Sequence, residues 1–348
     1  MRCPILAELP PPPPGKTGWP WTEESPQLPD TMHDGSPWPR ISIVTPNYNY
    51  GQFLEETIRS VLLQGYPNLE YLIIDGGSTD NSVEIIKKYE PWLTYWVSEP
   101  DRGQSHAINK GIGHLTGEIF AYINSDDFYL PGAFAIAAEV LQSTSLIWLC
   151  GNCLVVNEDS RSQGESRSHI SSEAADWILH RVRDNGTKII QPTCFIKFQL
   201  FSSVGIFDES LRFSFDFEFF TRLFLKGYMP KHSDFPVAAF RIHEKSKTVS
   251  NQHTFIDEDF IIAKRYKSKL SAEEIATDFK KMSLLTYRVW ISAYTAHTFG
   301  SIQQRFRVTL KALWYHPHLL AWPRLYLMLW RSMLLKLRLA SRFWALRE

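Results

Sequence analysis

The sequence predicts an α/β fold in which helices alternate with the strands of a mostly parallel central sheet. From Ile41 onward, short apolar runs alternate with segments in which apolar residues recur at helical spacing. Strands separated by helices of this length pair in parallel through right-handed crossovers. The chain has 348 residues, which is enough for one large domain of this class with extensions.

The alternation can be followed element by element. The first four predicted strands are ISIVTP, LEYLIIDGGS, WLTYWVSEP and IFAYINSDD, and the helices between them are FLEETIRSVLLQ, NSVEIIKKYE and SHAINKGIGHL. After residue 127 the pattern loosens. KIIQPTCFIK and FPVAAFRIH are predicted as further strands, with the helix SFDFEFFTRLFLKG between them.

Charge and cysteine content limit the function classes. The 37 Lys and Arg residues balance the 37 Asp and Glu residues, so nucleic acid is not expected as a partner. Four cysteines are too few for a disulfide framework, which favours a reducing cytoplasm. Cys150 and Cys153 form a CxxC in an apolar stretch without a second ligand pair, so buried thiols are preferred to a zinc or redox site.

The two ends of the chain differ from the middle. Residues 1–40 are rich in proline and polar residues and are expected to form a disordered arm, or alternatively a docking segment for a proline-binding partner. The N-terminus lacks the apolar region of a secretory signal, and no stretch reaches about 18 consecutive apolar residues, so a spanning helix is not expected.

The C-terminal segment is basic and rich in tryptophan. From about Ser301, nine Lys and Arg residues stand against a single acid, Glu348, with tryptophans interleaved among leucines. This composition is typical of an interfacial helix on an anionic membrane. The alternative is a helical subdomain that packs on the core. We therefore expect a cytoplasmic protein that is peripheral on the inner face of the cell membrane.

Polar residues collect at the carboxyl ends of the four predicted strands, where open α/β sheets bind ligands. They occupy 47–49, 75–80, 99–104 and 124–127. Asp126 and Asp127 end an apolar run, and paired carboxylates there are best explained by a divalent metal or a partner cation.

Two common nucleotide-binding motifs are absent from the sequence. There is no GxGxxG after a strand and no GxxxxGK[ST], which disfavours dinucleotide oxidoreductases and P-loop ATPases. IIDGGSTDNS stands in their place. Asp75 is predicted to accept a hydrogen bond from a nucleotide base, and Asp80 to cap the following helix.

The ordered set of motifs resembles a family 2 glycosyltransferase with the GT-A fold. It runs from VTPNYNYG through IIDGGSTDNS, SEPDRGQSHAINKGI, TGEIFAYINSDDFYLPG, QPTCF and SFDFEFFTRL to FRIHEKSKT, over roughly Ile41 to Ser250. The resemblance implies a catalytic domain over residues 41–265, followed by a helical extension over 266–348.

The resemblance also implies roles for individual residues. Tyr48 would pack near the nucleotide base, and Asp126 would hold Mg²⁺ or Mn²⁺ on the donor diphosphate. Asp216 would be the base that deprotonates the acceptor hydroxyl. The further residues implied are Pro46, Asn49, Asp75 and Ser125 for the donor nucleotide, Asp127 and His243 for the metal, and Gln191 and Glu218 for the acceptor.

Two departures from the family pattern matter. The first acid of the DxD motif is Asn124 here, which weakens metal binding but leaves Asp126 and Asp127 in place. Glu218 competes with Asp216 as the base, and Asp216 is preferred because residues two apart on a helix point in different directions. For Gln191, an ordinary polar strand residue is an equal alternative.

The expected function is that of an inverting, metal-dependent glycosyltransferase. The donor would be a nucleotide-diphosphate sugar, with UDP favoured, and the acceptor a lipid-linked or surface glycan. One alternative is a metal-dependent nucleotidyltransferase, although VTPNYNYG lacks the cation expected after its first strand. Another is a catalytically degenerate nucleotide- or carbohydrate-binding module, which Asn124 suggests.

Overall fold

The structure is a computed structural model, and it describes residues 1–142, 145–170, 177, 189–247 and 252–266. Residues 267–348 lie outside the described residues. They include almost all of the predicted extension and the whole of its basic, tryptophan-rich segment.

The described part of the chain folds as strands and helices in the predicted alternation. The strands are β1 Ile41–Asn47, β2 Leu69–Asp75, β3 Tyr95–Ser98, β4 Ile119–Tyr122, β5 Phe128–Tyr129, β6 Trp148–Val156, β7 Ser162–Ser166, β8 Phe195–Lys197 and β9 Lys231–Arg241. The helices are α1 Gly51–Leu62, α2 Ser82–Tyr89, α3 Gln104–Ile112, α4 Ala133–Leu141, α5 Leu200–Val204, α6 Phe215–Leu225 and α7 Gln252–Tyr266.

The sheet has a parallel half and a mixed half. Its order is β3-β2-β1-β4-β8-β6-β9-β5, with β7 paired to β6. Strands β3, β2, β1 and β4 are parallel, whereas β8 runs antiparallel to both β4 and β6. The α/β prediction is confirmed. The parallel half follows the strand–helix alternation, whereas the second half combines antiparallel pairs with the parallel pair of β6 and β9.

Strands β1 and β2 are buried along their whole length, as expected of parallel strands covered on both faces. Helix α1 packs on one face, where Leu54, Ile58 and Val61 join a core that includes Ile43 and Tyr71. Near-continuous apolar runs therefore fix the position of the sheet, and its polar strand ends are held at one edge.

Residues 1–40 are a correction to the predicted disordered arm, because they pack on the domain. Trp38 and Cys3 belong to the main core. Arg59 of α1 is fully buried, and its guanidinium donates to the backbone oxygens of Pro20 and Trp21. The segment has too few apolar residues to form a core of its own, yet it orders because its tryptophans and backbone carbonyls find partners on the domain.

Cysteines 150 and 153 are buried and form no disulfide, and the same holds for Cys3 and Cys194. Burial raises the pKa of the Cys150 thiol to about 12. A buried thiol with a raised pKa is poorly reactive, in agreement with the expectation of structural thiols.

Candidate active site

The parallel strands end together and bring their polar residues to one edge of the sheet. In the β1–β2 pairing Asn47 lies opposite Asp75, and the amide of Asn47 donates to that carboxylate at 2.6 Å. On the other side β1 pairs with β4, whose chain continues directly into the turn of residues 124–127. The register therefore places the first, second and fourth strand ends side by side.

Asp75 is fully buried and surrounded by protein donors. Its carboxylate accepts hydrogen bonds from the backbone N–H groups of Gly77 and Ser78 and from the hydroxyls of Ser78 and Ser98. Together with Asn47, these contacts use both carboxylate oxygens. Asp75 thus shapes the loop that follows β2, and its recognition of a nucleotide base stays a prediction.

The loop after β1 presents the more accessible candidates for the nucleotide. Tyr48 is 59% exposed. Asn49 has a φ of 56°, a left-handed conformation that asparagine tolerates better than most residues, and its side chain accepts the N–H of Thr79 at 2.8 Å. Pro46 is buried in β1 next to them. Tyr48 alone among these three offers an open aromatic face.

Gly76 lies close to both Tyr48 and Asp101, so a larger side chain at this position would collide with them. A Cβ at this position would lie 2.7 Å from a carboxylate oxygen of Asp101 and 3.3 Å from the Tyr48 ring. Asp101 also accepts the N–H of Gly103 at 2.7 Å. The sequence places Asp101 in the loop after the third strand, as a candidate contact for the ribose or phosphates, and the structure brings its carboxylate close to the Tyr48 ring.

Asp126 is the more accessible acid of the turn that follows β4. Its side chain is 17% exposed, and one carboxylate oxygen lies 3.1 Å from Nε2 of His243. The His243 ring is buried against Phe53 and Tyr50, with centroids 4.8 and 5.5 Å away. The structure therefore brings together two residues that are 117 positions apart, as the resemblance implies.

Asp127 is buried and holds the turn. One carboxylate oxygen accepts the backbone N–H of Arg241 at 2.9 Å, and the other accepts the amide of Asn124 at 3.3 Å. Burial, and then the neighbouring charge of Asp126, raise the pKa of Asp127 well above its ordinary value. Both oxygens of Asp127 therefore accept hydrogen bonds from protein donors, and its role as a metal ligand stays a prediction. Ser125 is likewise buried, and its carbonyl accepts the Thr57 hydroxyl.

Asp216 stands in the first turn of α6, where a carboxylate interacts favourably with the helix dipole. Its surroundings connect it to the β4 end of the sheet. The pKa of the buried Tyr122 is raised well above its ordinary value, first by burial, then by the charge of Asp216, and less strongly by that of Asp127. The charges of Asp216 and of the 124–127 turn thus both act on the same tyrosine.

Glu218 faces away from this region into a buried ion pair. It is 2% exposed, and Arg222 donates to both of its carboxylate oxygens at 3.0 and 3.1 Å. The hydroxyl of Tyr266 donates to it as well. Arg222 and Tyr266 therefore contact the Glu218 carboxylate in the interior, and its contact with an acceptor stays a prediction. Asp216 is the better placed candidate base.

Gln191 lies in a single 3₁₀ turn before β8 and is mostly buried. Its amide nitrogen donates to the backbone oxygen of Tyr122 at 2.8 Å. It therefore lies on the same stretch of β4 as the Tyr122 ring that Asp216 approaches. Its proposed contact with an acceptor stays a prediction.

A chain of polar side chains crosses the cleft and was not predicted from the sequence. Lys247 donates to Gln104 at 2.7 Å, and Gln104 in turn donates to Asn124. Burial lowers the pKa of the Lys247 ammonium, whereas the charges of Asp126 and Asp101 act in the opposite direction. The only available signal was the position of Lys247 in FRIHEKSKT.

Among the residues that the structure describes, no group of three or more His, Cys, Asp and Glu side chains is arranged to hold a metal ion by itself. Within the same residues, no helix is both long and apolar enough to cross a membrane.

Residues 42–205 match the model of glycosyl transferase family 2. An uncharacterized glycosyltransferase of Rickettsia typhi is 29% identical over 191 residues, which cover 52% of this chain and 57% of the relative. The segment of residues 42–205 is thus a glycosyl transferase family 2 domain. The family match ends before Asp216 and His243, so those two residues rest on the geometry given above.

Two solved structures share the fold of this chain. TarS of S. aureus, residues 1–349 in complex with UDP-GlcNAc, is 18% identical with a TM-score of 0.58, covering 79% of this chain and 80% of that one. The mannosyltransferase PcManGT of Pyrobaculum calidifontis, in complex with GDP-Man and Mn²⁺, is 18% identical with a TM-score of 0.52, covering 90% of each chain. The GT-A type α/β fold is thereby confirmed. The match to the curated Rickettsia relative spans less than two thirds of that protein.

Proposed function

We propose that this family 2 protein is an inverting glycosyltransferase that moves a sugar from a nucleotide-diphosphate sugar to an acceptor hydroxyl. The observations that carry the proposal are that Asp126 meets His243 at the end of the parallel strands and that the charges of both Asp216 and Asp127 act on the buried Tyr122 of β4. In a single displacement, the donor sugar and the acceptor hydroxyl react in one cleft. The acid that binds the donor diphosphate and the acid that deprotonates the acceptor must therefore lie in that same cleft.

The donor nucleotide would bind at the β1 and β2 strand ends. The exposed ring of Tyr48 provides a surface on which a base can stack. Asp101 lies beside it and accepts donors such as a base or ribose N–H or O–H. Lys247 supplies positive charge near Asp126, where the diphosphate would lie. TarS was solved with UDP-GlcNAc and PcManGT with GDP-Man, so donors with either nucleotide are tested.

The residues present fit a divalent metal that the donor itself helps to hold. Asp126 and His243 offer one carboxylate and one imidazole, and Mg²⁺ or Mn²⁺ commonly completes such a partial site with substrate phosphates and water. When bound, the metal would offset the charge that develops on the diphosphate as the glycosidic bond breaks. Asn124 replaces one family acid and instead orders the turn through Asp127.

Asp216 would act as the general base. Its carboxylate accepts the proton of the acceptor hydroxyl while that oxygen attacks the anomeric carbon from the face opposite the diphosphate. The bond from the anomeric carbon to the phosphate oxygen breaks, and the nucleoside diphosphate leaves. One displacement inverts the configuration.

The first experiment is a screen of UDP- and GDP-sugars for donor hydrolysis and transfer, with and without Mn²⁺. We expect at least one donor to be consumed only in the presence of metal. If no donor shows metal dependence, the assignment of Asp126 is refuted.

The second experiment separates an enzyme from a binding module. Asp216→Asn is expected to reduce transfer by about 10²-fold or more while nucleotide binding by calorimetry is retained. Asp208→Asn is the control, because Asp208 pairs with Arg265 and Ser210 instead of facing the cleft. Equal activities for wild type and Asp216→Asn would favour the degenerate module.

The acceptor and location are proposed from composition. Nine cationic residues after Ser301, interleaved with tryptophans, suit an anionic membrane surface on the cytosolic side, and hence a lipid-linked or surface glycan acceptor. Co-sedimentation with anionic liposomes would compare the full chain with one truncated near Gly300. Equal partitioning of the two would refute membrane binding.

A further inference from the structure

Arg241 is a fully buried cation at the end of β9, directly behind the 124–127 turn. Its side chain is 1% exposed. Its Nε donates to the backbone oxygen of Asp126 at 2.7 Å, and its backbone N–H donates to the Asp127 carboxylate at 2.9 Å. One residue therefore contacts both acids of the turn without occupying the cleft.

The charge of Arg241 is paired in the interior. Nη2 donates to Glu56 of α1 at 2.8 Å, and Glu56 is 4% exposed. Nη1 donates to the Ser160 hydroxyl at 2.9 Å, and that hydroxyl donates to Glu56. The guanidinium also lies over the rings of Phe53 and Phe128, 4.7 and 5.5 Å from their centroids. The fork geometry of arginine is needed for these simultaneous contacts.

Helix α1 also contacts the 124–127 turn through Thr57, the residue after Glu56. The hydroxyl of Thr57 lies 2.6 Å from the backbone oxygen of Asp127 and 3.0 Å from that of Ser125. Together, Thr57 and Arg241 contact the carbonyl oxygens of all three residues from Ser125 to Asp127. The backbone that carries the Asp126 carboxylate is thus fixed from two elements.

We propose that Arg241, Glu56 and Thr57 are positioning residues that hold the Asp126 carboxylate in the orientation that binds a divalent cation on the donor diphosphate. This inference rests on the proposed function. A buried ion pair adds little net stability compared with well-packed apolar residues, so stability alone does not account for a charged pair here. Residues behind a metal ligand commonly tune metal affinity by 10- to 100-fold.

The chain offers a matched control for each substitution. Thr57→Val is compared with Thr45→Val, because Thr45 is equally buried and its hydroxyl bonds only to Tyr71 in the core. Arg241→Lys is compared with Arg59→Lys, because Arg59 is also fully buried and its guanidinium contacts backbone oxygens of residues 10–21. Each control carries the same chemical change away from the turn.

The direct readout is the binding of Mn²⁺ to the full chain in the presence of UDP. GDP is used instead if UDP does not bind. Binding is measured by electron paramagnetic resonance, as the decrease of the signal of free Mn²⁺. We expect Thr57→Val and Arg241→Lys to weaken Mn²⁺ binding by about tenfold or more. Both controls should stay within about twofold of wild type. Unfolding midpoints are measured in parallel, and each pair of variants should lose similar stability.

Kinetics provide a second readout. The concentration of Mn²⁺ that gives half-maximal activity should rise for Thr57→Val and Arg241→Lys and should not change for the controls. Glu56→Gln keeps two hydrogen-bonding groups and should fall between wild type and Arg241→Lys. If wild type binds Mn²⁺ with nucleotide and both turn variants bind it equally well, the positioning role is refuted and the proposed function stands. If wild type itself binds no Mn²⁺ with either nucleotide, both proposals are overturned.

Discussion

The acids of this protein differ in whether protein donors use up their carboxylate oxygens. Asp75, Asp127 and Glu218 are buried and accept several hydrogen bonds or ion-pair contacts from the fold. Asp126 is partly exposed and shares one oxygen with His243, and Asp216 is half-buried in the first turn of α6. Sequence motifs mark all five in the same way, and only the three-dimensional contacts distinguish them.

Glu218→Gln should destabilise the protein, because it leaves the partly buried Arg222 without its counter-charge. Breaking a buried ion pair costs about 3–5 kcal/mol, and Glu218 is 2% exposed. Chemical unfolding would measure the loss. Glu55→Gln at the partly exposed Lys88 pair should cost less than about 1 kcal/mol. A Glu218→Gln protein of normal stability that has lost transfer activity would contradict the structural assignment.

Glu70 should make stability depend on pH at the acid end. Burial raises its pKa, but hydrogen bonds from Ser42 and Thr116 outweigh this effect and hold the pKa of Glu70 below its ordinary value of 4.5. A depressed pKa in the folded state contributes stability above the unfolded pKa, and this stability is lost as pH falls through the folded pKa.

Thermal unfolding between pH 7 and pH 3 would therefore test the role of Glu70. We expect Glu70→Gln to lower the midpoint near neutral pH and to flatten its fall below about pH 4.5. Parallel curves for wild type and variant across that range would rule out this contribution.

At the scale of elements, helix α7 supports the helix that carries Asp216. The carboxylate of Glu258 accepts the backbone N–H groups of Arg212, Phe213 and Ser214 at 2.8–2.9 Å. An anion placed there satisfies donors that would otherwise be unpaired at the start of α6.

Glu258→Ala should therefore lower kcat with little change in the KM for the nucleotide sugar, because the residues proposed to bind the nucleotide sugar lie on other elements. Steady-state kinetics would show the split. Glu139→Gln on the exposed face of α4 is the control and should leave both constants unchanged. A change in donor KM alone would argue against a role for Glu258 in holding Asp216.

The elements that the sequence predicted well are those with strong local patterns. Strands β1 to β4 and helix α6 follow from continuous apolar runs and helical spacing, and the ordered motifs pointed to Asp126, Asp216 and His243. The contacts of Glu258 and Arg241 could not be predicted, because each joins residues 44 to 185 positions apart. A local pattern carries no information about which distant backbone group a side chain will meet.

At the scale of the described molecule, the N-terminal segment is part of the domain. Its backbone bonds to the loop after α1, where Cys3 donates to Tyr66, Ser25 to Leu63 and Leu28 to Gly65. Composition alone suggested disorder, because the stabilising partners of this segment lie on the rest of the fold and not within it.

Gly65 allows this close approach, and substituting it tests whether the segment stabilises the domain. Its φ is +65°, and a Cβ would lie 2.2 Å from the backbone oxygen of Pro26. Gly132 is a matched control, because its φ is +78° and a Cβ would meet nothing within 4 Å. Both alanine variants bear the strain of a left-handed backbone, about 1–2 kcal/mol, but only Gly65→Ala must displace the segment.

We therefore expect Gly65→Ala to lower the unfolding midpoint more than Gly132→Ala, and to expose residues 1–40 to limited proteolysis while Gly132→Ala does not. The larger loss follows because displacing the segment uncovers Cys3, Trp21 and Trp38 and removes the carbonyls that satisfy the buried guanidinium of Arg59. Equal midpoints and equal protection for the two variants would mean that the segment contributes no stability to the fold, and that the satisfied charge of Arg59 is not what anchors it.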